Sequence, residues 1–398
     1  MPLRPYYLRI LGFTAVFFFW EFCVQAQPAA DFSAWKDPKN AEAVHEMSRR
    51  MLSRTRDLTG TAREEMLAQN LSALAEIAAD PSIVPSTRFN AILAIGRLEA
   101  SSGNPHAGYP HALTYLIDVY QQADCPPYLR YGALLGIVQH ALGEIDPSQR
   151  GKMIDLFLET VASEFGEGHA DPIEPDIWNW FRQTALDGLA ALKTTGTEGN
   201  IAAELLLVIN RKSQELGELC NRQDVLTRDV WKQMLLAIEL ASKAAKTLGD
   251  LDYSSATDIN TEIMTDSFMR LIKVVCGIKY KIAADFLEQE KTSPEPAILL
   301  EQIVVNVKMC TQSIVWGVRS GFLTSRPGEN SFYASLQREE PAIQRLDALI
   351  TEIIELSAFF DEGARTSRTI AVPGMPKEFK FDLLELRNAL KKCSEALY

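Results

Sequence analysis

The sequence contains nearly the same twelve-residue phrase twice, as TRFNAILAIGRL at 87–98 and LRYGALLGIVQH at 129–140. A third and looser copy follows near residue 182. In each copy an arginine precedes an alanine by three positions, and a glycine follows the alanine. The aligned residues are Arg88, Ala91 and Gly96; Arg130, Ala133 and Gly136; and Arg182, Ala185 and Gly188. A chain that repeats such a phrase is predicted to repeat one structural unit.

The phrases lie in a chain whose apolar residues recur at spacings of three and four, as in Leu67, Leu71, Leu74 and Ile77. This spacing places apolar side chains on one face of an α-helix. Sustained two-residue alternation, which is typical of half-buried strands, is absent from the sequence. We therefore predict an all-α fold, in which helices at about 62–79, 110–122 and 149–164 precede the three phrases.

An aspartate precedes each arginine. Asp80-Pro81 comes before Arg88, Asp124 and two prolines come before Arg130, and Asp176 comes before Arg182. This residue pattern resembles the second half of a HEAT repeat, in which an Asp-Pro turn is followed by a helix that contains an arginine, alanines and a glycine. The arginines are 42 and then 52 residues apart, and HEAT repeats run about 40 to 47 residues. The longer interval contains the loop 164–174.

The resemblance covers about residues 60–210 and implies a solenoid of antiparallel helix pairs. It also implies a ladder of ion pairs, because turn aspartates and helix arginines commonly pair in HEAT proteins. Asp124 would then pair with Arg130, and Asp176 with Arg182, while each aspartate caps the helix that it precedes. The alternative is a generic helical bundle in which an arginine three residues before an alanine recurs by chance.

The domain organisation follows from these patterns. Residues 1–26 are a predicted signal peptide, residues 27–210 are predicted HEAT-like repeats, and residues 211–398 form either a C-terminal helical bundle or degenerate repeats. The phrase disappears after Asp224, and longer helices are predicted at 225–248, 257–290, 295–320, 338–361 and 377–397. The C-terminal bundle is the favoured interpretation, because the predicted helix 257–290 is too long for a HEAT helix. The junction is predicted at 211–222.

The N-terminus has the features of a secretory signal. Arg4 and Arg9 precede an apolar run at 10–20, and the small-x-small residues 24–26 precede Gln27. The run is shorter than the roughly 20 residues that a spanning helix needs. An uncleaved membrane anchor is the alternative. We predict cleavage after Ala26 and an exported protein, periplasmic or extracellular, with no membrane span after cleavage.

The net negative charge of the mature chain limits the classes of partner that it is expected to bind. The full chain carries a formal net charge of -12, and removal of Arg4, Arg9 and Glu21 with the signal leaves -13. Nucleic acid and anionic lipids are bound by clustered lysine and arginine, so we predict no nucleic-acid partner. Five cysteines remain, and the sequence does not decide whether any two form a disulfide: Cys125, Cys220, Cys276, Cys310 and Cys393.

Catalytic motifs are incomplete. His45-Glu46 begins the zinc motif H-E-x-x-H, but Arg49 occupies the place of the second histidine. Ser33 and Lys36 have the S-x-x-K spacing of a penicillin-binding protein, but the other motifs of that class are missing. We therefore predict no catalytic, cofactor-binding or metal-binding residues and no cofactor.

Two further segments could carry chemistry and are assigned more ordinary roles. The loop 164–176 concentrates Glu164, Glu167, His169, Asp171, Glu174 and Asp176, but its spacing differs from that of an EF-hand and its prolines restrict convergence on calcium. It is predicted to be a solvated insertion. His106 and His111 have no third ligand nearby and are predicted to be loop residues.

Trp178, Trp180 and Phe181 begin the third repeated helix, where two of them face one side and the third faces away. Large aromatics at helical spacing are typical of a core, and the alternative is an exposed stacking surface. Helical solenoids mainly bind other chains. We therefore predict a non-enzymatic scaffold or interaction module with a protein partner. The alternatives are an exported helical enzyme acting on a polymer, and a structural component of the cell envelope.

Overall fold

The computed structural model describes residues 41–101, 107–163, 174–221 and 228–253, and a further helical stretch at 263–264, 266–275 and 277–278. Helices make up most of these residues, which confirms the all-α prediction. The helices are α1 Ala41–Asp57, α2 Gly60–Ala79, α3 Pro85–Ile95, α4 Pro110–Gln121, α5 Pro127–Ala141, α6 Pro147–Ala162, α7 Pro175–Leu192, α8 Asn200–Cys220 and α9 Arg228–Asp250. Three of them, α2, α4 and α6, match the helices predicted before the repeated phrases.

A small β-hairpin interrupts the helices and was not predicted. Strands β1 Glu99–Ser101 and β2 Ala107–Gly108 pair antiparallel between α3 and α4, with Glu99 opposite Gly108. The backbone of β2 lies directly against an imidazole ring, because a Cβ at Gly108 would come within 2.0 Å of Nδ1 of His140. At two or three residues each, the strands are too short for an alternating pattern to be visible in the sequence.

Proline starts five successive helices, α3 to α7. Proline suits the first position of a helix because its ring fixes φ and the N–H that it lacks would have no partner there. The prediction that Asp124 and Asp176 cap helices is wrong. The residues at the cap positions of α5 and α7 are Pro126 and Glu174, and neither makes a side-chain capping bond. Asp146 does cap a helix, since its carboxylate accepts a hydrogen bond from the N–H of Ser148 at the start of α6.

The helices pack in pairs. Helix α2 packs on α3, α4 on α5, α6 on α7, and α8 on α9. The second helices of the pairs also pack side by side in chain order, α3 on α5, α5 on α7, and α7 on α9. We call these four second helices, α3, α5, α7 and α9, the central row. The three repeated phrases therefore form three neighbouring members of one row.

Small residues set the spacing within the row. Ala91, Ala133 and Ala185 are completely buried, as close helix packing at the repeated alanines requires. At the contact between α3 and α5, a Cβ at Gly96 would lie 2.5 Å from Cα of Gly136. That distance is too short for any side chain, so the two backbones can approach this closely only because both residues are glycine.

One hydrophobic cluster extends through the described helices, from Met51 in α1 to Ile278. The predicted domain boundary after residue 210 falls inside α8, and the cluster continues on both sides of it. Helix α9 covers most of the predicted helix 225–248. The predicted helices at 295–320, 338–361 and 377–397 lie outside the described residues, as does much of 257–290.

Candidate functional site

The three repeated arginines share one role: each side chain joins the two helices of its pair. Nε of Arg88 donates a hydrogen bond to the carbonyl of Ala78 at 2.8 Å, and Nε of Arg130 donates to the carbonyl of Tyr120 at 2.9 Å. Arg182 donates two bonds to the carbonyl of Val161, from Nε at 2.9 Å and from a terminal nitrogen at 2.7 Å. Each acceptor is the second-last residue of the first helix in its pair.

This arrangement follows from the chemistry of helix ends. The last carbonyls of a helix have no partner within the helix, and the helix dipole makes that end favourable for a positive charge. It also corrects the predicted ion-pair ladder. Asp176 pairs with Lys232 of α9, at 2.7 Å, while the guanidinium of Arg182 contacts a backbone carbonyl of α6. The arginines of the repeat thus bridge the first and second helices of a pair.

An aromatic cluster fills the space between the second and third pairs. The rings of Trp178 and Phe181 stack with centroids 5.2 Å apart, and Phe181 lies 5.1 Å from the ring of Tyr131. Burial raises the pKa of Tyr120 to about 12, and its hydroxyl bonds Oγ1 of Thr160 at 2.6 Å. The predicted core role is therefore confirmed for Trp178 and Phe181.

Trp180 differs from its two aromatic neighbours, because 51% of it is exposed. Ile177, one turn earlier on α7, is also exposed. On the adjacent α5, half-buried apolar residues recur at spacings of three, four and three, which places them on one face. Thr184 Oγ1 and Tyr131 Oη, 3.3 Å apart, join the two helices beside this face.

Helix α3 extends the same surface. The ring of Phe89 packs on α5, because a Cβ at Gly132 would meet it at 3.0 Å. Leu93 lies one turn after Phe89 and is also half-buried. We call the surface formed by these side chains of three neighbouring row helices the apolar face: Phe89, Leu93, Tyr128, Tyr131, Leu135, Val138, Ile177 and Trp180. This face was not predicted, although the spacing of apolar residues on α5 was a visible signal for it in the sequence.

A cleft of about 650 Å³ lies where the β-hairpin, the α5–α6 loop and the end of α7 meet. Three of its polar side chains bind backbone groups at helix ends. A terminal nitrogen of Arg150 donates to the carbonyl of Leu192 at 2.6 Å, and Nε2 of Gln149 donates to the carbonyl of Pro110 at 3.0 Å. Asp146, also in the wall, is occupied in capping α6. These three side chains therefore serve the packing of the helices.

Some of the remaining sequence candidates lie among the residues that the structure describes, and others do not. His45 and Glu46 lie in α1, and the ring of His111 packs edge-on against Tyr109 at 5.3 Å. Ser33, Lys36, His106 and loop residues 164–173 lie outside the described residues. Cys125 is a half-buried free thiol whose pKa is raised by burial. Cys220 is half-buried. Cys276, Cys310 and Cys393 lie outside the residues that the structure describes.

The residues that the structure describes contain neither a metal cluster nor a membrane-spanning helix. Among these residues, no group of three or more histidine, cysteine, aspartate or glutamate side chains is placed to hold a metal ion. None of the helices described between residues 41 and 278 has the length and apolar character needed to cross a membrane.

Comparison of this chain with protein-family models, with curated proteins and with solved structures finds no match.

Proposed function

We propose that the protein is a non-enzymatic helical scaffold that binds a protein partner on its apolar face. The observation that carries this proposal is Trp180, an exposed tryptophan on α7, which packs against the helix α5 that carries the half-buried tyrosines. Apolar side chains grouped at a protein surface are typical of protein-binding sites, and tryptophan and tyrosine are enriched among the residues that dominate binding energy.

We further propose that the helix pairs are HEAT-like repeats, and that the pair α8–α9 is a fourth, degenerate one. The side-by-side packing of the central row supports this, since α9 adds to α7 as α7 adds to α5. The repeated use of an arginine to bind the end of the preceding helix supports it as well. A solenoid built in this way presents the row helices as an extended binding surface.

The proposal also includes export of the protein from the cytoplasm. The charged, apolar and small-residue segments of residues 1–26 support a cleaved signal peptide. The scaffold would then act outside the cytoplasm, in the periplasm or the extracellular medium.

We expect the protein purified from its own cells to begin at Gln27, because Ala26 completes the small-x-small cleavage signal. Intact-mass spectrometry of the native protein measures this directly. Recovery of the chain from membranes with residues 1–26 still attached would contradict both cleavage and release.

Site-specific cross-linking tests the binding face. A benzophenone amino acid in place of Trp180, introduced in the cells that produce the protein, is expected to form an adduct with a second polypeptide on irradiation. Leu207 on α8 is the matched control, because it is a comparably exposed apolar residue, 40% against 51%, on a helix outside the row. The same amino acid at position 207 is expected to give no such adduct.

Affinity for the captured polypeptide then measures the contribution of the side chain. Trp180→Ala is expected to weaken binding about 30-fold, which corresponds to about 2 kcal/mol for a central aromatic residue. Leu207→Ala is expected to leave the affinity unchanged. Equal adducts from both positions, or a Trp180→Ala affinity equal to that of the parent protein, would contradict a binding role for the apolar face.

A further inference from the structure

A line of polar side chains runs between α7 and α9, the third and fourth helices of the central row. An ion pair stands at each end of it, Asp176 with Lys232 at 2.7 Å, and Asp187 with Lys243. Between these pairs, Oε2 of Glu239 accepts hydrogen bonds from the side-chain amides of Asn179 at 3.2 Å and Gln183 at 3.3 Å. We call this line the polar seam: Asp176, Asn179, Gln183 and Asp187 of α7, with Lys232, Glu239 and Lys243 of α9.

Glu239 occupies the middle of the seam, where its carboxylate is bound by neutral amides while the two lysines bind aspartates. Burial raises the pKa of the Glu239 carboxyl, and the negative charge of Asp176 raises it further. The hydrogen bonds from Gln183 and Asn179 favour the ionised form and oppose this rise without cancelling it.

Asp176 is the second carboxylate of the seam and is only partly satisfied. Its Oδ2 binds Lys232, whereas its buried Oδ1 accepts no hydrogen bond from the described residues. A protonated Glu239 would no longer repel this carboxylate. The charge of Asp176 therefore favours the neutral form of Glu239.

The surroundings of Glu239 contain further charges, but its nearest described polar partners are on α7. Within α7, the guanidinium of Arg182 is directed at Val161 of α6. The other charged side chains described on α9 and on α8, which packs against it, are Asp229, Lys246 and Asp250, and Glu204, Arg211, Lys212, Glu215 and Glu218. Of these, Lys212 is paired with Glu215 at 2.7 Å.

We propose that the polar seam is a proton-dependent joint, in which uptake of one proton by Glu239 strengthens the contact between α7 and α9 as the medium becomes acidic. This inference is independent of the proposed binding function, since it concerns a contact inside the fold. For an exported protein it would make the rigidity of the row respond to the pH outside the cytoplasm.

The direction of the effect follows from linkage. The folded protein binds the Glu239 proton more tightly than the unfolded chain does, because the pKa of Glu239 is raised on folding. The stabilisation is therefore absent well above the folded pKa, appears as pH falls through it, and is complete below the unfolded value of about 4.3.

Glu239→Gln tests the joint, because glutamine resembles the protonated acid in shape and charge. At pH 7.5 the variant is expected to melt about 2 °C or more above the parent protein, and this difference should shrink as the pH falls towards the unfolded value of about 4.3. Glu218→Gln, which removes one negative charge from an exposed position on α8, is the matched control. Its difference from the parent should not change with pH.

A local measurement assigns the effect to the seam. Hydrogen exchange of peptides within 175–192 and 228–250, corrected for the intrinsic effect of pH, is expected to slow in the parent protein on acidification and to change little in Glu239→Gln. Asp176→Asn, which removes the neighbouring charge, should move the parent's transition to lower pH. A difference between Glu239→Gln and the parent that stays constant from pH 7.5 to about 4, or an unchanged transition in Asp176→Asn, would overturn the proposal.

Discussion

Replacing Gly96 by alanine is expected to lower the free energy of unfolding by about 3 kcal/mol, at the upper end of the usual cost of overpacking. The added Cβ would meet Cα of Gly136 at 2.5 Å. A backbone atom cannot turn aside as a flexible side chain can, so α3 and α5 would have to separate. Urea titration of the two proteins measures the loss.

Gly151→Ala is the matched control for this substitution. Gly151 lies within α6, and a Cβ there would meet nothing within 4 Å. Because alanine loses less backbone entropy than glycine on folding, this variant is expected to gain about 0.5 to 1 kcal/mol. If Gly96→Ala were as stable as Gly151→Ala, the close approach of α3 and α5 would not exist.

The second large effect is expected at Arg182. Arg182→Met keeps an unbranched side chain but removes both hydrogen bonds to the carbonyl of Val161, at 2.9 and 2.7 Å. Because this acceptor lies at a buried helix end and the donor is charged, the expected loss in unfolding free energy is about 2 to 3 kcal/mol. The same urea titration measures it.

Arg88→Met is the comparison, since Arg88 makes the equivalent contact at a half-buried position, with one hydrogen bond of 2.8 Å to Ala78. Its expected loss is about 1 kcal/mol. The order of the two losses is the informative result. A larger loss at Arg88 than at Arg182 would mean that these arginines act mainly through contacts other than the helix-end carbonyls.

The partner of the repeated arginines is where sequence and structure differ most. The resemblance to HEAT repeats implied that Asp176 and Arg182 pair, but a separation of six residues along the chain specifies no contact between side chains. The structure gives Arg182 the carbonyl of Val161 and gives Asp176 the ammonium of Lys232. Every helix ends in carbonyls that have no partner within the helix. No sequence motif marks such a carbonyl as the acceptor for the arginine.

The burial of the aromatic residues in α7 could also be predicted only in part from the sequence. Helical spacing correctly indicated that two of the three aromatics in α7 face one side and the third faces away. Trp178 and Phe181 are buried and Trp180 is exposed, which depends on where α5 and α6 lie around α7. The short hairpin of residues 99–108 was missed for a related reason, since its pairing is a contact between segments rather than a local pattern.

By itself the sequence determined the all-α class, the first helix of each of three pairs and the buried alanines of the repeated phrase. These depend on periodicities within one helix, where residues three and four apart share a face. Tertiary structure decided the role of the arginines, the exposure of Trp180 and the seam around Glu239. Each of these depends on atoms from helices distant in the chain, such as Gln183 and Glu239. Their meeting depends on how the helices pack, which no local pattern specifies.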